Sequence, residues 1–110
     1  MPRMTIAEWS KEGAKRFGES QLQWVFVCPA CGHKQKPIDF RPYKAEGATA
    51  ETGRFNCIGR FSGAKRRAFG GKGEGPCDYT GGGLFNIMPM TVVLPNGEEI
   101  RAFDFAEAGS

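Results

Sequence analysis

Hydrophobic and polar residues alternate with two different periods along the chain, and the switches between them mark the elements. From Thr5 to Phe17 the positions Ile6, Trp9, Gly13 and Phe17 fall near one face at helical spacing, with Lys11, Lys15 and Arg16 gathered towards the end. Thr5 followed three residues later by Glu8 is a capping box, the cations suit the negative end of the helix dipole, and Gly18 is a stop. The pattern predicts an amphipathic helix docked by Trp9 and Phe17 on whatever the rest of the chain builds.

The period then falls to two. Gln21 to Val27 places Leu22, Trp24, Phe26 and the following Cys28 on one side of a strand. Lys34 to Phe40 continues extended, and Tyr43 to Gly53 is an irregular or short helical excursion. A second strand is expected over residues 55–61, with Phe55, Cys57, Gly59 and Phe61 on one face, and another over residues 84–88. Thr91 to Leu94 and Glu99 to Phe103 flank Pro95-Asn96-Gly97-Glu98, and Asn96-Gly97 between apolar runs predicts a type I′ hairpin. The expected fold is α+β and mostly β: a zinc-ribbon-like antiparallel sheet with one N-terminal helix and a C-terminal β-hairpin. The 110 residues make one domain. Within residues 1–110, the helix occupies 1–20, a four-cysteine core 21–88 and the hairpin 89–105.

Composition sharpens this. Glycine is frequent, at 16 residues, while nine Phe supply core bulk; a small glycine-rich domain gains from a metal staple. The four cysteines are Cys28, Cys31, Cys57 and Cys77. With no membrane-spanning run and no secretory signal, the expected compartment is a reducing cytosol, where thiols hold metal more readily than they pair. Two disulfides are the competing reading.

Cys28-Pro29-Ala30-Cys31-Gly32 is a strong knuckle signal, with Gly32 placed where a positive φ is needed. The second half is weaker, because nineteen residues separate Cys57 from Cys77. Four thiolates around Zn²⁺ fill its coordination, so the ion would be structural and would contribute on the order of 10 kcal/mol to folding. His33 is the one alternative ligand; three ligands and a water would make the ion catalytic.

Charge is uneven although the net value is only +3. Arg54, Arg60, Lys65, Arg66, Arg67 and Lys72 are not interrupted by any acidic residue, and residues 62–76 form a basic glycine-rich loop. With Phe61 and Phe69 interleaved for stacking, this segment is the candidate nucleic-acid or partner-binding element. Glu98, Glu99, Asp104 and Glu107 make the C-terminal stretch acidic. No H-E-x-x-H, Walker loop or nucleophile elbow is present, and Gly70-Gly71-Lys72-Gly73 lacks the strand–loop–helix setting of a nucleotide site. Binding rather than catalysis is therefore expected.

Taken together, Cys-Pro-Ala-Cys-Gly-His at 28–33, Phe-Asn-Cys-Ile-Gly-Arg-Phe-Ser-Gly at 55–63, the basic glycine-rich loop, and Pro-Cys-Asp-Tyr-Thr-Gly-Gly-Gly-Leu-Phe at 76–85 resemble a family of small phage and prophage proteins over residues 22–88. The resemblance implies a bacterial cytoplasm and a four-thiolate metal site at Cys28, Cys31, Cys57 and Cys77. It points to no particular activity. It raises the expectation that the protein serves a phage by binding nucleic acid. The alternative is stoichiometric inhibition of a host protein as an anti-defence factor, with the acidic C-terminal stretch as the contact.

Overall fold

A computed structural model describes residues 3–49, 51–63, 67–69, 76–81 and 86–107. Its first elements grow out of one capping motif. β1 (Arg3–Thr5) runs directly into α1 (Ile6–Phe17), and Thr5 caps that helix: its hydroxyl accepts from the Glu8 amide while the Glu8 carboxylate accepts from the Thr5 amide. Gly18 ends the helix at φ 91° and donates its amide to the Ala14 carbonyl at 2.9 Å.

The helix buries Trp9 and Gly13. A β-carbon at Gly13 would lie 2.5 Å from the Trp24 ring, so the missing side chain is what lets Trp24 lie against the helix. Trp24 also donates its indole N–H to the Gly18 carbonyl at 2.7 Å, tying the helix end to the chain that follows.

Two three-stranded sheets share the remaining strands. In the first, the order is β1–β4–β5, where β4 (Met90–Val93) pairs antiparallel with β5 (Glu99–Ala102) and parallel with β1. In the second, the order is β3–β2–β6, all antiparallel, with β2 (Phe26–Val27) between β3 (Lys34–Gln35) and β6 (Asp104–Phe105). The chain passes from one sheet to the other at Phe103, which is fully buried and donates its amide to the Arg54 carbonyl at 2.7 Å. Trp9, Phe26 and Phe105 stack where the helix meets the second sheet, and Trp24 meets Trp9 and Phe105 edge-on.

Several expectations are corrected. The fold is α+β but not mostly β, because helical and 3-10 turns cover more of the described chain than strands do. Gln21–Gln23 is a 3-10 turn, which leaves a strand of two residues before Cys28. Residues 37–40 open a 3-10 run (Pro37–Glu46) rather than continuing extended; Pro37 begins it, Pro42 lies inside it, and Tyr43, where an irregular or short helical excursion is expected to begin, departs from helical geometry. The strand expected over 55–61 is a turn leading into α2 (Gly59–Ser62), with a single antiparallel bridge, Asn56 to Thr80.

The physical reason lies in the buried Gln35, whose side chain takes the Gly53 and Asn56 carbonyls and the Ile58 amide, so that only Phe55 and Cys57 are left to pair with the backbone of Gly81 and Tyr79. Asn86 to Met88 form no strand, and Leu84 and Phe85 lie outside the described residues.

The C-terminal hairpin forms as expected, but its turn is not type I′. Leu94 accepts from Gly97 at 2.9 Å and donates to the Glu98 carbonyl at 2.8 Å. Gly97 sits at φ 88°, and no described non-glycine residue has positive φ. Pro95 cannot take a positive φ, so the corner falls on Pro95-Asn96 and Gly97 supplies the left-handed residue of a three-residue loop.

Candidate metal centre

The two halves of the cysteine set arrive by different routes. Cys28 follows β2, and the turn to β3 is closed by the Cys28 amide donating to the His33 carbonyl at 3.0 Å and the Gly32 amide donating to the Cys28 carbonyl at 2.8 Å. Gly32 takes φ 78°, where a side chain would be strained. Cys57 and Cys77 are set side by side by the short ladder around the Asn56–Thr80 bridge. Within it, the Cys57 amide donates to the Tyr79 carbonyl at 3.0 Å and the Gly81 amide to the Phe55 carbonyl at 2.6 Å.

Gln35 locks the two halves together. It is 1% exposed. Its Nε2 donates to the Gly53 carbonyl at 2.9 Å and the Asn56 carbonyl at 2.7 Å, and its Oε1 accepts from the Ile58 amide at 2.9 Å. A residue on the knuckle hairpin thus fixes the backbone on both sides of Cys57.

The four sulfur atoms lie within 4.8 Å of one another. Cys28 Sγ to Cys77 Sγ and Cys31 Sγ to Cys57 Sγ are each 3.7 Å. A disulfide would need about 2.05 Å, and all four are free thiols. A tetrahedron with metal–sulfur bonds of about 2.3 Å has edges of about 3.8 Å, so the two shortest separations match tetrahedral thiolate ligation. Cys28, Cys57 and Cys77 have no solvent exposure, and Cys31 is half-buried.

The backbone around the cluster is arranged for negative charge. Hydrogen bonds from Ala30 and Cys31 reach Cys28, bonds from Gly59 and Cys77 reach Cys57, and one from Tyr79 reaches Cys77. Such N–H donors offset the charge that four thiolates leave around a divalent ion.

The thiols divide the work unequally. Sharing a proton with Cys28, helped by its amide donors, pulls Cys57 down to about 5. The same contact, with burial, pushes Cys28 up. Burial raises Cys77 to about 12. Crowded thiols that cannot all ionise by themselves are relieved by a cation at their centre. These four residues could therefore hold a metal ion. His33 is not among them.

The basic residues singled out in the sequence do not form one surface. Arg54 is drawn into the core region: its guanidinium carbon lies 5.0 Å from the centre of the Trp9 ring, Nη2 donates to Gln21 Oε1 at 2.9 Å, and burial lowers its pKa. Phe61 packs on Phe40 and Tyr43 and is not presented for stacking. Arg60, Arg67 and Phe69 are exposed beside the last ligand segment, where the Asp78 carbonyl accepts from Arg60 at 3.5 Å and the Asp78 carboxylate accepts from the Ala68 amide at 2.7 Å. Lys65, Arg66 and Lys72 lie outside the described residues.

With this geometry in place, the comparison with family models is decisive over nearly the whole chain: the VVA0879-like model matches residues 5–106. The chain belongs to the VVA0879-like family. The match takes in all four cysteines, Gln35 and both sheets apart from the first residues of β1. No match was found among curated proteins or among solved structures. Among the described residues, no helix is long and apolar enough to cross a membrane.

Sequence reasoning missed Gln35. Its signal was a polar residue on the inward side of a two-residue strand, directly across from the buried Phe26.

Proposed function

We propose that this is a structural zinc protein, with a ribbon-type knuckle at residues 28–33, that acts by binding a nucleic-acid strand and not by turnover. The observation that carries it is the four-sulfur cluster, whose 3.7 Å edges fit tetrahedral zinc and whose four protein ligands leave no position for a reacting water.

The binding half rests on a smaller surface than the sequence suggested. Arg60, Arg67 and Phe69 are exposed on the approach to Cys77, and Lys65, Arg66 and Lys72 belong to the same acid-free stretch. Cations beside an exposed ring suit a flexible strand, with phosphates on the guanidinium groups and a base on Phe69.

Two measurements test the reading. Metal analysis of purified protein gives one zinc per chain, and exhaustive chelation unfolds it; metal-free protein with an unchanged fold refutes the structural ion. Fluorescence anisotropy with single-stranded oligonucleotides shows affinity falling with salt. In Arg60→Ala/Arg67→Ala the log–log slope is reduced by about 1.4, from roughly 0.7 per lost phosphate contact. No binding at low salt, or an unchanged slope in the double variant, refutes the nucleic-acid reading and leaves the zinc site standing.

A further inference from the structure

Two buried polar atoms among the described residues have no hydrogen-bond partner: the indole nitrogen Nε1 of Trp9 and Nε of Arg54. Both residues line the same cavity. It has a volume of about 100 Å³ and lies between the start of α1, the Glu51–Phe55 segment and the β4–β5 hairpin. Trp9 is 3% exposed, and its N–H is left without a partner inside the fold. Both orphans are donors, and one belongs to a cation. A buried donor of this kind is rarely left unmade, and what it lacks here is an acceptor.

The walls narrow the chemistry. Arg54 and Arg101 supply two positive charges against the single carboxylate of Glu51, so the cavity favours an anion. Ile6, Val92 and Ala102 add apolar wall, while the lining residues Phe55 and Ile100 are large hydrophobics left 38% and 43% exposed. At about 30 Å³ per water-sized group, the space admits three or four non-hydrogen atoms. That is a carboxylate and its first carbon, with the rest of a short aliphatic stem lying towards the exposed Phe55 and Ile100. A phosphate dianion would meet the Glu51 carboxylate and gain nothing from the hydrocarbon wall.

We propose that the cavity between α1 and the β4–β5 hairpin binds the carboxylate of a short aliphatic acid, which accepts from Trp9 Nε1 and Arg54 Nε. The acid is either free in solution or the side chain of an acidic peptide whose neighbouring residues rest on Phe55 and Ile100.

The test is a ¹⁵N-resolved NMR titration of the protein as purified, with sodium propionate, propionamide, sodium chloride and a blocked tripeptide with a central glutamate as separate probes. Propionate shifts the assigned Trp9 indole N–H saturably, while propionamide and chloride do not. Saturation with propionate assigns a free small acid, and saturation with the tripeptide alone assigns a partner side chain; either supports the site. Arg54→Gln abolishes the shift. Because Arg54 also bonds Gln21, the exposed Glu51→Gln is the companion variant: it removes a competing carboxylate and tightens propionate binding several-fold. A Trp9 signal that does not saturate with propionate or tripeptide, or that responds equally to propionamide, overturns the proposal.

Discussion

Replacing Gln35 with Leu tests the claim that one buried amide holds the two halves of the cysteine cluster in register. The substitution keeps roughly the bulk of the side chain, one bond shorter, but deletes three hydrogen bonds, to Gly53, Asn56 and Ile58. At about 1 kcal/mol net per bond, the loss is about 3 kcal/mol. The stranded carbonyls of Gly53 and Asn56, both buried residues, push it higher, while the added apolar surface of Leu returns on the order of 1 kcal/mol. Equilibrium urea unfolding of the zinc-loaded protein reads the change directly. With a slope of about 1–3 kcal/mol per molar for a domain of this size, the midpoint falls by roughly 1–3 M. Because Ile58 follows Cys57, the proposed zinc site should also transfer its ion to a colorimetric chelator faster. Gln35→Glu adds a pH dependence of known sign: its carboxylate faces two carbonyls, so its folded-state pKa is raised, and stability lost at neutral pH returns as the pH is lowered and a donor is restored. A Gln35→Leu protein that loses less than about 1 kcal/mol and releases zinc at the parental rate would refute the reasoning.

Three further outcomes follow from the same structure. Gly13→Ala gains up to about 1 kcal/mol of helix propensity, yet its methyl would meet the Trp24 ring at 2.5 Å. Thermal unfolding is therefore expected to show net destabilisation of about 1–2 kcal/mol, and a raised melting temperature would contradict the packing described. Metal analysis of His33→Ala returns the parental zinc content, whereas Cys57→Ser loses it; zinc loss in the histidine variant would reassign the ligand set. Thr5 hydrogen bonds hold the Glu8 pKa below the usual value of 4.5, so its capping contribution is present above that value and fades as the pH falls through the folded pKa. The stability gap between the parental protein and Glu8→Ala should accordingly be open at neutral pH and closed in acid, as read by denaturation at each pH.

The parts legible in the sequence are those fixed by neighbours along the chain. Thr5, Glu8 and Gly18 specify α1 by local bonds alone, and Gly32 announces the knuckle turn by the φ it must adopt. The hairpin was legible as a pairing but not in its corner, because Pro95 decides which residues can turn. The strand reading of residues 55–61 failed because an alternating pattern of Phe, Cys and Gly does not say whether each backbone group finds a strand or a side chain as its partner; here one edge found Gln35 and the other only the short ladder at Tyr79 and Gly81. Arg54 was misplaced for a similar reason. A cation counted with a basic run can still be recruited by an aromatic ring, and Trp9 lies forty-five positions earlier. Clustering of the cysteines could be inferred from chemistry, but the ladder that delivers Cys77 to Cys57 could not be read from a nineteen-residue gap.

The pairing of β1 with β4 and of β2 with β6 has a consequence for biosynthesis. The Cys28–Cys31 loop can close as soon as it leaves the ribosome, but the strands that shelter it come from the last quarter of the chain. Until Cys77 emerges a nascent polypeptide carries an incomplete set of thiols, and until Phe105 emerges its tryptophans lack their cover, so it must be kept from oxidation and aggregation by the cell rather than by its own fold.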